Sequence, residues 1–151
     1  MNSDFRDLFA ALNAVGARYL VVGGYALALH AEPRFTKDLD IWIDRTPENA
    51  QAVWNALAAF GAPVTEVSPA DLTSPDLVYQ LGVPPSRVDI LTSIDGVDFA
   101  GAWPRRVEER YGDQQAFFIG LADLVENKRA AGRPQDLADI ELLERHRHDS
   151  R

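Results

Sequence analysis

Two aspartates one residue apart, Asp38 and Asp40, lie in the segment Asp38-Leu39-Asp40-Ile41-Trp42-Ile43. As an extended strand this segment alternates, so Asp38, Asp40 and Trp42 face one way and Leu39, Ile41 and Ile43 the other. The apolar face anchors the strand in a core. The carboxylates then stand on the opposite face with Cα atoms ~6.5 Å apart. Two anionic groups side by side repel, and the arrangement calls for cations between them. Upstream, the apolar run Tyr19-Leu20-Val21-Val22 reads as a buried strand that ends at Gly23-Gly24, and Tyr25 to His30 reads as a short helix. A glycine pair opening a helix offers bare backbone N–H groups to an anion. A metal site beside a phosphate site points to phosphoryl-type chemistry.

Other residues join this set with a bland reading beside the chemical one. Asp89, in Arg87-Val88-Asp89-Ile90-Leu91, is a third carboxylate on a strand, or an exposed strand residue. Gly23-Gly24 alone is a tight turn, and an Asp-x-Asp pair alone is a solvated strand face. Arg34 and Lys37 offset the charge of Asp38, worth about 0–1 kcal/mol as exposed pairs; Lys37 has the alternative of facing a triphosphate. Lys128 falls on the apolar stripe of Leu121, Leu124 and Val125, where a lysine must reach water or meet an anion. The expected partner is Asp136, close in sequence and opposite in charge; the alternative is phosphate. His146 and His148 have metal-pair spacing but sit in a polar tail, and His30 merely ends a helix. Trp42 either borders a nucleotide or packs under a loop.

The elements that must position these groups are legible in turn. Ser3 reads as an N-cap before the helical stripe Phe5, Leu8, Phe9 and Leu12, which Gly16 ends. After the central stretch, Thr46-Pro47-Glu48 starts a helix whose stripe is Ala50, Val53, Trp54, Leu57 and Phe60, closed by Gly61 and Pro63. Residues 62–76, with three prolines and little periodicity, are expected to form a loop over the site. Leu77 to Gly82 and Arg87 to Leu91 form an antiparallel hairpin. Phe99 to Trp103 is a helical turn. Arg105 to Gly112 and Gln114 to Ile119 are extended but ambiguous. Two helices follow, Leu121 to Ala131 stopped by Gly132, and one from Pro134 with Leu137, Ile140 and Leu143 inward.

The 151 residues predict one compact domain with a sizeable core, spanning residues 1–151 with no repeat or linker to divide it. A content of 46% hydrophobic and 25% charged residues is that of an ordinary globular chain. Without cysteine, disulfides and thiolate metal sites are excluded. A net charge of −8 argues against a broad nucleic-acid surface, though not a local one. Neither a signal peptide nor an apolar run long enough to span a bilayer is visible, so the expectation is a cytoplasmic protein without a membrane partner. Walker A and Rossmann glycine patterns are both missing.

Val22-Gly23-Gly24, then thirteen residues, then Asp38-Leu39-Asp40-Ile41 resembles the signature of the DNA polymerase β-like nucleotidyltransferase superfamily, with Asp89 matching its third aspartate. The closing Lys128 to Ile140 segment resembles that of small bacterial nucleotidyltransferase-like proteins, including AbiEii-type toxins; the likeness runs from roughly Ala17 to Leu143. The resemblance implies an α/β (α+β) fold with a mixed sheet flanked by helices and further helices at the C-terminus. It also implies two Mg²⁺ ions, or Mn²⁺, held by Asp38, Asp40 and Asp89, with Gly23 and Gly24 at the β- and γ-phosphates. Lys37 and Lys128 would add nucleotide contacts. The implied reaction moves NMP from a nucleoside triphosphate to an acceptor hydroxyl of unknown kind (small molecule, tRNA or protein) and releases pyrophosphate. The competing expectation is a non-catalytic nucleotide-binding or protein-interaction module, such as one half of a toxin–antitoxin pair with its cognate partner. Three intact aspartates weigh against that second reading.

Overall fold

The computed structural model describes residues 1–31 and 38–149. Helix α1 (Ser3–Ala14) is capped by Asn2, whose side-chain oxygen accepts from the Asp4 and Phe5 amides. The expected cap, Ser3, is instead the first helical residue. An amide oxygen one position earlier reaches the orphan N–H groups equally well. Phe5, Leu8, Phe9 and Leu12 are buried as their spacing predicts.

Strand β1 (Tyr19–Val22) is buried along its whole length, and β2 (Leu39–Ile43) pairs with it antiparallel, Val22 facing Asp40. Between them lies α2 (Gly23–His30), which packs on both strands. Helix α3 (Pro47–Phe60) begins with Pro47 and stops at Gly61, whose φ of 100° is open to glycine at no steric cost. Helices α1 and α3 pack against each other, α1 also on the sheet's β6 end and α3 on β2.

Residues 62–76 depart from expectation. They form two 3₁₀ turns, Val64–Glu66 and Asp71–Thr73, packed on α3 with Val67 and Leu72 buried. The Trp54 indole N–H donates to the Val67 carbonyl at 2.8 Å, which ties the segment to α3. The predicted hairpin is present as β3 (Val78–Leu81) and β4 (Val88–Leu91), antiparallel. Helix α4 (Phe99–Ala102) is the expected single turn. The two ambiguous segments form a second antiparallel hairpin, β5 (Val107–Tyr111) and β6 (Gln114–Phe118).

Among the described residues six strands make one mixed sheet in the order β3-β4-β2-β1-β6-β5, with β2–β4 and β1–β6 parallel and helices flanking it. This is the expected fold class. Helices α5 (Leu121–Ala131) and α6 (Pro134–Asp149) pack together, and α2 touches both. The inward face of α6 corrects the sequence reading. Leu137 is 53% exposed, whereas Asp136 and Asp139 are buried with Leu143. Two acids occupy an inner stripe because cations meet them, Lys128 of α5 at Asp139 and Arg133 of the following turn at Asp136. Among the described residues, no helix is long and apolar enough to cross a membrane.

Candidate active site

The site grows out of the turn between β1 and α2. Gly23 has φ +66°, and a Cβ placed there would stand 2.2 Å from Asp40 Oδ2. Glycine is therefore needed twice, for the left-handed backbone and for the approach of the β2 carboxylate. Helix α2 begins after Val22, which makes no side-chain cap hydrogen bond, and the first-turn amides include those of Gly23 and Gly24.

The parallel register of β2 and β4 sets Asp40 directly beside Asp89. Neighbouring strands lie about 4.8 Å apart, so the two carboxylates share one face of the sheet. Burial pushes the Asp40 carboxyl up to about 6; the negative charges of Asp89 and Asp38 push the same way, while Lys128 and Arg87 oppose them. Asp38 stands just before β2, with its side chain 38% exposed. Arg87, just before β4, places its Nε 3.6 Å from Asp89 Oδ1 and 3.9 Å from Asp38 Oδ2. Arg87 Nε and Asp89 Oδ1 are both buried, and neither has a hydrogen-bond partner among the described residues.

Lys128 enters from α5. Its Nζ lies 2.9 Å from Asp139 Oδ2 and 3.7 Å from Asp136 Oδ1, and its side chain is 12% exposed. Asp139, not the expected Asp136, is its closer partner. Asp136 is engaged by Arg133, through the backbone N–H at 3.1 Å and the guanidinium Nε at 2.7 Å, which holds its carboxyl below the usual range. Gly23, Asp40, Asp89, Lys128, Arg133 and Asp136 line a cleft of about 500 Å³. A second hollow of about 440 Å³, lined by Trp42, Asp98 and Phe99 among others, adjoins it at Ser93.

Of the residues singled out by sequence, Gly23, Asp40, Asp89 and Lys128 thus line one cleft, with Gly24 next in the α2 turn and Asp38 just before β2. Lys37 and Arg34 lie outside the described residues. Trp42 is 2% exposed and packs edge-on against Phe99 with ring centroids 5.0 Å apart, so it is a buried wall and not an open face. His30 has its Nε2 2.7 Å from the Ile119 carbonyl oxygen. In the sequence Arg87 reads only as part of a strand, and Arg133 and Asp139 only as part of the closing segment, none of them as a group of the site. For Arg87 the signal was available, since two positions before Asp89 is the same strand face.

Among the described residues, no three His, Asp or Glu side chains converge closely enough to chelate one ion as they stand. Asp38 and Asp89 are drawn instead toward Arg87. The donor set nonetheless fits a hard divalent cation: carboxylate oxygens alone, one of them buried without a donor among the described residues, and a neighbouring acid whose ionisation is opposed by burial first and by the adjacent negative charges second.

No family model and no curated protein matches the sequence. Solved structures do. A nucleotidyltransferase of provisional assignment from Thermotoga maritima superposes with a TM-score of 0.59 at 16% identity, over 96% of this chain and 91% of its own. The lincosamide antibiotic adenylyltransferase LnuA, solved with lincomycin bound, gives a TM-score of 0.57 at 16% identity, over 95% of this chain and 96% of its own. The protein therefore has the nucleotidyltransferase-type fold, present end to end.

Proposed function

We propose that the protein is a divalent-metal-dependent nucleotidyltransferase that moves NMP from a nucleoside triphosphate to an acceptor hydroxyl. The observation that carries this reading is the register that sets Asp89 beside Asp40, opposite the Gly23 turn, in a cleft that also holds Lys128. The end-to-end likeness to a lincosamide adenylyltransferase supports the same class of reaction.

Asp38, Asp40 and Asp89 would hold Mg²⁺ or Mn²⁺, which when bound neutralises phosphate charge and lowers the pKa of the acceptor hydroxyl. The α2 amides take the distal phosphates. Lys128, held by Asp139, presents a cation to the cleft. The acceptor oxygen attacks the α-phosphorus, the bond from that phosphorus to the β-bridging oxygen breaks, and pyrophosphate leaves with its electron pair. Asp89, on the strand that runs on to the adjoining hollow, receives the acceptor proton. Positioning and charge neutralisation account for the rate. The acceptor is a small molecule, a tRNA end or a protein side chain; a protein acceptor would suit a toxin of the AbiEii-like kind with a cognate antitoxin.

The test is to incubate the protein with α-labelled nucleoside triphosphates, Mg²⁺ and a cell extract, then separate label by size. Wild type should label one fraction and release pyrophosphate. Asp89→Asn should lose transfer by at least about 100-fold, on the scale of general acid–base catalysis, while keeping triphosphate affinity. Full activity in Asp89→Asn, or equal triphosphate affinity with and without EDTA in wild type, would overturn the reading.

A further inference from the structure

Arg87 stands between two of the three acids, and the way it stands there is informative. Its backbone is fixed, because its carbonyl accepts from the Leu39 N–H at 3.0 Å. Its Nε approaches Asp89 Oδ1 to 3.6 Å and Asp38 Oδ2 to 3.9 Å, both beyond hydrogen-bond length. Arg87 Nε and Asp89 Oδ1 are buried with no hydrogen-bond partner among the described residues, although each is the other's natural mate. A guanidinium that neutralises two acids without closing a hydrogen bond to either is held by charge and not by fit. Its two contacts are ones that a cation of better geometry can replace.

We propose that Arg87 is a resident counter-cation of the acid cluster, which neutralises Asp38 and Asp89 in the free protein and yields them to an entering divalent metal ion. The proposal rests on the metal-dependent reading above. Two cations within a few ångströms repel, so guanidinium and metal compete for the same carboxylates. The free protein therefore takes up metal poorly. A triphosphate supplies the negative charge that lets both cations remain, so metal enters together with nucleotide rather than ahead of it. Arg87 thereby sets the order of loading and keeps the acids from collecting metal when no substrate is present.

Mn²⁺ binding to the intact protein at pH 7.5, by electron paramagnetic resonance and calorimetry, tests this with and without an α,β-methylene triphosphate analogue. Wild type should bind Mn²⁺ weakly alone and strongly with the analogue. Arg87→Gln should bind Mn²⁺ alone roughly tenfold more tightly than wild type, the order expected when a like charge is removed from a few ångströms away. The gain should vanish in Arg87→Gln/Asp89→Asn. Arg87→Lys keeps the charge but cannot bridge both acids, and should show a smaller gain in the same direction. It decides the matter if Arg87→Gln does not fold. Metal-bound wild type with no gain in either variant overturns the counter-cation role alone. No Mn²⁺ uptake by wild type even with the analogue overturns the metal reading and this proposal together.

Discussion

Asp40 is a carboxyl whose ionisation the fold opposes. Burial and two neighbouring acids hold it at about 6, against 3.8 for a free side chain. Below about pH 4 both folded and unfolded chains carry the proton, and the group has no effect on stability. Between about pH 4 and 6 only the folded chain keeps it, so stability falls as pH rises. Above about pH 6 the full penalty stands, about 2–3 kcal/mol. Asp40→Asn should therefore melt higher than wild type at pH 8 without metal, with the difference fading toward pH 4. Thermal melts at the two pH values decide it. An Asp40→Asn protein no more stable than wild type at pH 8 would show that the fold does not oppose the Asp40 charge.

At the scale of elements, α5 and α6 are joined by charge as well as by packing. Lys128 and Arg133 are the cations that let Asp139 and Asp136 lie inside, 3% and 2% exposed at their side chains. Removing one member of a buried pair strands the other, at about 3–5 kcal/mol when burial is complete. Lys128→Met should fall at the low end, because Asp136 keeps Arg133 and Asp139 keeps Gln135, which donates to it at 2.9 Å. Asp139→Asn should also destabilise, and the double variant should recover part of the loss. Melts of the four proteins give the coupling; additive losses would show that Lys128 and Asp139 do not act as a pair.

For the whole molecule, the strand order forecasts where the sheet opens. Strands β1 and β2 are central, paired on both sides and largely buried, whereas β5 is an edge strand with three of its five residues exposed. Native-state hydrogen exchange should find the slowest amides in β1 and β2 and faster exchange along the outer side of β5. Equal protection in β5 and β1 would mean that the sheet does not end where the order places it.

The sequence by itself determined the elements whose polarity repeats at the period of their own backbone. The stripes of α1 and α3, the alternation in β2 and the glycine turn before α2 are patterns of this kind, and so was the pairing of Asp38 with Asp40. The hairpin β5–β6 was ambiguous for the converse reason, since an edge strand such as Val107–Tyr111 faces water over most of its surface and has no alternation to display. Inner positions filled by charge were also hidden. Leu137 looked inward, and Asp136 was expected only as the partner of Lys128; that Asp136 and Asp139 both fill the inner face of α6 depends on Arg133 and on Lys128 from another helix. The site itself needed tertiary structure most. Local sequence shows that Asp40 and Asp89 lie on strand faces, but only the parallel β2–β4 register makes them neighbours and brings Arg87 between Asp38 and Asp89. Side-chain periodicity records which way a residue points along its own strand, whereas which strand lies beside it is decided by the packing of the whole sheet.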